Sequence, residues 1–412
     1  MSKSAIEVNG RSYSWPTNSV VGVCVDGSQP GYIEEAVKAG VAPFFKRILA
    51  EGTNRIADCV VPSFTNPNNI SIATGRPPAV HGICGNYFYD QASGTEIMMN
   101  DPDLLRVDTI FKTFQQEGAK VCVITAKDKL RRLLGKGLAF ENGTAIGFSA
   151  EKADQVTLSE HGIENVLDLV SLPVPEVYSA DLSEFIFAAG VKIMERDRPD
   201  VMYLSTTDYI QHKHAPGTPV ANDFYRMMDG YLSQLDAMGC TIVVTADHGM
   251  NAKHDDNAEP DVIYLQTLLD ERLGEGKTRV ILPITDPYVV HHGALGSYAT
   301  VYLNDDVDQA ALIADLSAYD GILMVLDRKA GCERFELPED RVGDLIIISE
   351  QSKALGTSAD RHDLSALKEP LRSHGGITEQ NVPFLMNRQD NVPEDRRLRN
   401  FDIYDVALNH AL

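Results

Sequence analysis

The run of residues 241–246, followed by Asp247, His248 and Gly249, is the stretch that most constrains the fold. Five of the six residues in the run are β-branched, which suits a strand buried on both faces of a parallel sheet. The run ends abruptly at a carboxylate and an imidazole, and open α/β sheets place their sites at the carboxyl ends of such strands. Taken alone, the motif also fits an exposed loop after a strand.

The same pattern, an apolar run that ends in aspartate, occurs twice more. Residues 19–25 form such a run before Asp26, and residues 201–205 form another before Asp208. Helical patterns separate the runs, at residues 33–50, 182–196 and 220–235. Strands that alternate with helices predict an α/β fold with a mostly parallel central sheet and helices on both faces. Parallel strands share one carboxyl edge, so we expect the three aspartates to meet there.

From about residue 279 the pattern changes to short strands around one helix. The strand patterns lie at residues 280–285, 297–303 and 322–326, and the helical pattern lies at 309–316. We interpret residues 276–340 as a small inserted α+β cap domain, with the core domain formed by residues 1–275 and 341–412. A further buried-strand pattern at residues 343–349 therefore falls in the core.

His291 and His292 form a tandem pair within the predicted cap. Two adjacent histidines are candidate ligands for a metal. Neighbouring side chains in a chain usually point apart, so we do not expect a metal there.

The net charge indicates which partners the protein can bind, and the cysteines indicate the compartment in which we expect it. A net charge of −22 over 412 residues argues against nucleic acid and anionic membranes. The apolar runs are far shorter than a membrane span, and the first residues lack the apolar core of a signal peptide. The six cysteines are scattered, as expected for buried free thiols in a reducing cytoplasm. We expect a cytoplasmic protein, in which an anionic substrate would need local positive charge.

Thr65 is predicted to lie at the N-terminus of a helix. It precedes Asn66 and Pro67, and proline is common in the first turn of a helix. Free N–H groups and the helix dipole favour anions at such a position. A helix cap is the commonest role of a threonine there, and the sequence does not distinguish a capping hydroxyl from a nucleophile.

Three further polar residues are candidates for binding an anion. Asn86 lies in a loop and could donate an amide N–H to an oxyanion, although a turn asparagine is an equally good interpretation. Lys127 and Lys129 follow the strand pattern at residues 120–125, on the side of the sheet where the aspartates gather. Surface lysines are the alternative.

The aspartates and histidines together indicate metal binding. Asp208 and His212 are four residues apart, so they lie on one face of a helical turn and can bind one ion. The three aspartates would repel each other unless protonated or bound to cations. His248 and His374, the latter followed by two glycines that allow a tight turn, supply further nitrogens. A mixed oxygen and nitrogen set of this size predicts a two-metal site rather than a structural zinc.

This ordered set resembles the alkaline phosphatase superfamily of metal-dependent phospho- and sulfohydrolases. The residues that carry the resemblance are Asp26, Thr65, Asp208, His212, Asp247, His248 and His374. Within the superfamily the chain is most similar to the phosphonoacetate hydrolase family, in the stretches Phe64-Thr-Asn-Pro-Asn-Asn69, Ala126-Lys-Asp-Lys129 and residues 206–214. Nucleotide pyrophosphatase/phosphodiesterases share the metal ligands and the threonine.

The resemblance implies two zinc ions per chain, with manganese or iron as alternatives. Asp208, His212 and His374 would hold one ion. Asp26, Asp247, His248 and the Thr65 oxygen would hold the other.

The implied activity is hydrolysis of the carbon–phosphorus bond of phosphonoacetate to acetate and phosphate. Thr65 would be the nucleophile and would form a phosphothreonine intermediate. The candidate substrate contacts are Asn86, Lys127, Lys129 and His214. A phosphodiesterase or phosphomonoesterase on the same scaffold and a metal-binding protein without turnover are the alternatives. The expected partner is a small phosphonate, and a homodimer is allowed for.

Overall fold

A mixed, mostly parallel sheet of seven strands organises the computed structural model, which describes residues 5–284, 294–365 and 367–412. The strands of these ranges are β1 Ile6–Val8, β2 Arg11–Tyr13, β3 Val20–Cys24, β4 Thr53–Asp58, β5 Tyr87–Asp90, β6 Thr95–Met98, β7 Val121–Thr125, β8 Ala145–Ser149, β9 Val201–Ser205, β10 Thr241–Thr245, β11 Asn251–Ala252, β12 Val262–Tyr264, β13 Thr278–Ile281, β14 Tyr298–Leu303, β15 Ile322–Asp327, β16 Leu345–Ser349, β17 Ala354–Gly356, β18 Arg372–Ser373 and β19 Asn381–Met386.

The α-helices of the described ranges pack around this sheet and on the smaller sheets. They are α1 Pro30–Lys38, α2 Pro43–Glu51, α3 Thr65–Thr74, α4 Pro78–His81, α5 Ile110–Gln116, α6 Asp128–Leu134, α7 Leu158–His161, α8 Val166–Val170, α9 Asp181–Asp197, α10 Tyr209–Lys213, α11 Pro219–Ala237, α12 Leu265–Leu273, α13 Gln309–Ser317, α14 Arg328–Phe335 and α15 Ile403–Asn409.

The central sheet has the strand order β4-β19-β10-β3-β9-β7-β8. The pairs from β10 to β8 are all parallel, and β19 is antiparallel to both of its neighbours. The predicted mostly parallel α/β sheet is therefore confirmed. Because β19 runs the other way, the residues that precede it lie at the carboxyl edge of the parallel strands.

Helices cover both faces of the sheet, because the central strands are apolar on both sides. In β3, Val21 and Val23 pack into the cluster that contains α1, α2, α9 and α11. Val20 and Cys24 face the other cluster, which contains α3, α5 and α15. This alternation follows from the two-residue repeat of a strand.

The single helix predicted over residues 33–50 is two helices, so that prediction is wrong. Gly40, in the segment between α1 and α2, has a φ of +75°, a left-handed conformation that a continuing helix does not allow. Pro43 then begins α2, in the first-turn position that proline favours.

A four-stranded antiparallel sheet in the order β13-β14-β16-β15 forms the smaller unit, with α13 and α14 beside it. The strand predicted at residues 343–349 is β16, and it pairs with β14 and β15. The predicted boundary at residue 340 would separate this strand from the sheet in which it pairs. A fully buried strand has the same sequence pattern in either sheet. The division into a core and a cap domain stays a prediction, and His291 and His292 lie outside the described residues.

Two further observations concern the helices and the cysteines. Within the described ranges, every helix is too short or too polar to cross a bilayer. All six cysteines are buried and none is in a disulfide, as the sequence predicts.

Gly22, in the middle of β3, lets the C-terminal helix pack against the central sheet. A Cβ at this position would lie 2.7 Å from the Tyr404 hydroxyl oxygen, and that hydroxyl donates to the Met202 carbonyl at 3.0 Å. We expect Gly22→Ala to lower the free energy of unfolding by roughly 1–3 kcal/mol through overpacking, measured by urea denaturation.

Gly230, exposed in α11, provides the matched control. A Cβ there would contact nothing within 4 Å, so Gly230→Ala should stabilise the helix by about 0.5–1 kcal/mol. Equal effects of the two substitutions would contradict this account of the packing.

Candidate active site

Three adjacent parallel strands bring three aspartates together. Asp26, Asp208 and Asp247 follow β3, β9 and β10, and the last residues of these strands are direct neighbours in the pairing register. The carboxyl ends of parallel strands meet at one edge. The expected meeting of the three aspartates therefore follows from the register alone.

Each of three histidines has one ring nitrogen fixed by a backbone carbonyl. The Nδ1 atoms lie 2.8 Å from Arg372 O for His212, 2.8 Å from Gly249 O for His248, and 2.7 Å from Ser63 O for His374. A ring nitrogen facing a carbonyl carries the proton. In the neutral ring the opposite atom, Nε2, then carries a lone pair that can bind a metal.

The Nε2 atoms point at the carboxylates. His212 Nε2 lies 2.8 Å and His374 Nε2 lies 3.9 Å from Asp208 Oδ2, while His248 Nε2 lies 3.2 Å from Asp26 Oδ1. The rings of His248 and His374 stack with their centroids 3.5 Å apart. Two overlapping groups could hold an ion, with ligand atoms within 4.8 Å: Asp208, His212 and His374, and Asp26, Asp208 and His248.

The chemistry of this cluster fits divalent cations. Within the described residues, Asp26 Oδ1 and His248 Nε2 are buried without a hydrogen-bond partner. Burial, with the nearby Asp208 and Asp247, raises the pKa of the Asp26 carboxyl well above its ordinary value. Burial likewise raises the pKa of the Asp247 carboxyl and, with the neighbouring His248 and His212, lowers that of His374. A bound cation would remove both the repulsion and the unmet coordination.

Hydrogen bonds hold both carboxylate oxygens of Asp247. Its Oδ1 accepts from the backbone N–H groups of Gly27, at 3.2 Å, and His248, at 3.0 Å. Gly27 has a φ of +71°, and a Cβ there would lie 3.1 Å from Asp208 Cβ, so a glycine suits this position. The other oxygen accepts from Asn69 Nδ2 at 3.1 Å.

Asn69 is a residue whose role the sequence did not reveal. Its Oδ1 accepts from the Tyr203 hydroxyl at 2.7 Å and from the Ser205 hydroxyl at 2.9 Å, which fixes the amide that donates to Asp247. The available signal was its place one turn after Thr65 in α3. A hydrogen bond of this kind, made to a candidate metal ligand by a neighbouring residue, orients the ligand and changes its affinity for the metal.

Thr65 is the first residue of α3, as predicted, and it is half-buried. The N-cap residue is Phe64, and no side chain caps this helix end. A capping role for the Thr65 hydroxyl is therefore not supported. The residue instead lines a cavity of about 460 Å³ together with Asp26, Asp208 and His374.

The same cavity is lined by Asn86, Lys127 and Lys129. Lys127 Nζ donates to the Val177 carbonyl at 2.8 Å and lies 5.2 Å from the centroid of the Tyr178 ring. His214 is not among the lining residues; its backbone carbonyl accepts from the Tyr32 hydroxyl at 2.8 Å.

Two further cationic side chains that the sequence analysis did not single out, Arg132 and Lys152, also line the cavity. Four carboxylates line it as well, those of Asp26, Asp128, Glu151 and Asp208, so the lining carries as many acidic as basic side chains. An anionic substrate therefore requires further positive charge, which bound cations would supply.

The comparisons with known proteins agree with this geometry. A family model described as type I phosphodiesterase / nucleotide pyrophosphatase matches residues 20–376. The phosphonoacetate hydrolase of Sinorhizobium meliloti 1021 is 59% identical, with a TM-score of 0.97 and full coverage of both chains. The chain belongs to the phosphonoacetate hydrolase family. The Sinorhizobium protein has been solved in complex with phosphonoacetate and with phosphonoformate.

More distant relatives of the chain share its fold. Murine ectonucleotide pyrophosphatase/phosphodiesterase 5 is 17% identical with a TM-score of 0.63, over 94% of this chain and 93% of its own, which shows a shared fold. A calcium-transporting ATPase from Myroides odoratus is 34% identical over 116 residues, which is 27% of this chain and only 21% of that protein. The alkaline phosphatase-like α/β architecture of this phosphonoacetate hydrolase family member is thus shared with type I phosphodiesterases.

Replacing Asp26 tests the electrostatic description of the site. In metal-free protein at pH 8, Asp26→Asn should raise the free energy of unfolding by about 1 kcal/mol or more, because it removes a buried carboxyl whose ionised form the neighbouring Asp208 and Asp247 destabilise. The raised pKa of Asp26 means that the folded wild type binds more protons than the unfolded chain at pH values above the ordinary 3.8. The wild type therefore regains stability as the pH falls, and the advantage of the variant shrinks.

Urea denaturation of chelator-treated protein at pH 5 and pH 8 measures both effects. The stabilisation that added zinc gives the wild type should be smaller in the variant. A metal-free variant that is less stable than the wild type at pH 8 would contradict this description.

Proposed function

We propose that this protein hydrolyses the carbon–phosphorus bond of phosphonoacetate, giving acetate and phosphate. The full-length 59% identity to an enzyme solved with phosphonoacetate carries this proposal. It is supported by a cavity that combines carboxylate and imidazole ligands, a threonine at a helix N-terminus and two lysines.

The metal ligands are proposed as two sets. Asp208, His212 and His374 hold one zinc ion, and their ligand atoms already lie within reach of one another. Asp26, Asp247, His248 and the Thr65 oxygen hold the other. When bound, the ions supply Lewis acidity that favours the Thr65 alkoxide and balances negative charge on the phosphoryl oxygens.

Thr65 carries out the first chemical step. Its hydroxyl loses a proton to solvent and its oxygen attacks phosphorus in line, so that a P–O bond forms and the P–C bond breaks. The free N–H groups at the start of α3 and the amide of Asn86 stabilise the phosphoryl oxygens. Water then attacks the phosphothreonine, releases phosphate and returns a proton to the Thr65 oxygen.

The leaving group explains the need for the two lysines. Cleavage of the P–C bond leaves an electron pair on carbon, which is far more basic than an alkoxide. In phosphonoacetate this carbon is next to a carboxylate, so the charge spreads into an ene-diolate. Lys127 and Lys129 bind that carboxylate and stabilise the charge until the carbon is protonated to acetate.

A phosphodiesterase on the same scaffold is the second candidate, because the type I phosphodiesterase model matches residues 20–376. Phosphate release from phosphonoacetate, compared with nitrophenol release from bis(4-nitrophenyl) phosphate, separates the two. We expect the phosphonate to be the better substrate by kcat/KM, and its turnover to be lost with chelator. Faster turnover of the diester would favour the second candidate.

Thr65→Ala is expected to lower kcat for phosphonoacetate by a factor of roughly 10³ or more, because the covalent step is lost. Thr65→Ser, which keeps a hydroxyl, is the matched control and should retain measurable turnover. Phosphate release measures both variants, after zinc content has been shown to match the wild type. Wild-type turnover by Thr65→Ala would exclude the covalent route.

Lys127→Met and Lys129→Met should each lower kcat/KM for phosphonoacetate roughly tenfold or more, since a hydrogen bond to a charged group contributes about 1.5–3 kcal/mol. The control is Lys192→Met in α9, where an exposed lysine pairs with Glu195 at 3.1 Å. This control removes the same charge outside the cavity and should leave kcat/KM unchanged. Equal effects of all three substitutions would indicate that only overall charge matters.

A further inference from the structure

A buried ion pair lies behind the metal-binding residues and outside the substrate cavity. Lys253 Nζ and a Glu379 carboxylate oxygen are 2.9 Å apart, and both side chains are fully buried. Removing two charges from water costs several kcal/mol per ion, and their attraction repays this only when further hydrogen bonds satisfy them. Stability alone is therefore a weak explanation for this pair, and its contacts indicate what else it does.

Glu379 contacts the segments that carry two of the histidines. Its Oε2 accepts from the N–H of Gly376 at 3.0 Å, two residues after His374. Its backbone carbonyl accepts from the N–H of Gly249 at 2.8 Å, next to His248. These are the two histidines whose rings stack 3.5 Å apart. One residue thus fixes the backbone next to a proposed ligand of each metal ion.

The other carboxylate oxygen, Oε1, is saturated. It accepts from Asn251 Nδ2 at 2.7 Å and from the Thr378 hydroxyl at 2.6 Å, in addition to Lys253. Lys253 Nζ also donates to the Gln351 carbonyl at 2.7 Å. Lys253 therefore holds the carboxylate in one orientation and connects it to the segment that follows β16.

The network reaches the third histidine through a short sheet. Asn251, a donor to Glu379, begins β11, which pairs with β18. The carbonyl of Arg372 in β18 lies 2.8 Å from Nδ1 of His212. The three histidine segments are thus connected to a single buried carboxylate, although Glu379 is not among the residues that line the cavity.

We infer that Glu379, oriented by Lys253, is a positioning residue that sets the spacing of the His248 and His374 rings and thereby the metal affinity of the site. This inference rests on the metal site of the proposed function. It does not depend on which substrate the metals act upon.

The decisive variant is the double substitution Lys253→Met and Glu379→Met. It replaces the pair with apolar side chains of similar size, so no unpaired charge stays buried, while it removes every acceptor on the Glu379 side chain. We expect zinc to bind the folded variant about 10–100-fold more weakly, the range for lost outer contacts to ligands. Zinc competition against a chromophoric chelator measures this affinity, without substrate. Excess zinc should restore most of the lost kcat, with KM near the wild-type value.

Two further variants keep the test decisive if the double variant does not fold. Glu379→Gln keeps one oxygen that can accept from Gly376, so its loss of zinc affinity should be smaller but measurable. Asp229→Asn is the control: this buried carboxylate accepts from Phe44 N at 3.1 Å and Phe45 N at 2.9 Å at the start of α2. It should lower stability and leave zinc affinity unchanged.

A purely structural role predicts a different result. Wild-type zinc affinity in folded Glu379→Gln, or an equal loss of affinity in Asp229→Asn, would overturn the inference. If the wild type failed to cleave phosphonoacetate, the proposed substrate would be wrong, but the zinc affinities of the variants would still decide the role of Glu379.

Discussion

Repulsion among three clustered carboxylates is the interaction on which the rest of the site depends. The fold places Asp26, Asp208 and Asp247 at the ends of adjacent parallel strands, where burial and mutual proximity raise the pKa of Asp26. Such a cluster is stable as three anions only with compensating positive charge. Imidazole nitrogens aimed at the same point indicate that the compensation is a metal rather than a lysine. In a chain of net charge −22, bound cations would also create the local field that an anionic substrate needs.

Hydrogen bonds to backbone groups hold the histidine and aspartate side chains of the site in place. Each metal-facing histidine is oriented by a carbonyl, and Asp247 is oriented by two backbone N–H groups and Asn69. The reversed direction of β19 brings His374 to the edge where the parallel strands end. Ligands from distant parts of the chain thus converge on positions that are fixed before a metal binds, which lowers the cost of ordering them.

The sequence predicted those parts of the fold and site that depend on local pattern. Strand runs ending in aspartate, and a threonine before Asn66 and Pro67, are short-range signals, and they located the strand ends and the start of α3. Pairing between distant segments has no such signal. Hence the pairing of β16 with β14 and β15 is not predictable from the local pattern, and neither is the break at Gly40, because the apolar spacing continues across it. The contacts of Asn69 and Glu379 lack a local signal for the same reason: the Glu379–Lys253 contact spans 126 residues, and neither residue type is distinctive alone.

We propose that two divalent ions replace protons on the carboxyl groups whose pKa burial raises. Calorimetric titration of chelator-treated protein with zinc, repeated in buffers of different ionisation enthalpy, counts both the ions bound and the protons released. We expect two zinc ions per chain, with proton release that grows as the pH is lowered from 8 toward 5. Binding of fewer than two ions, or of two ions without proton release at pH 5, would exclude this exchange of protons for metal ions.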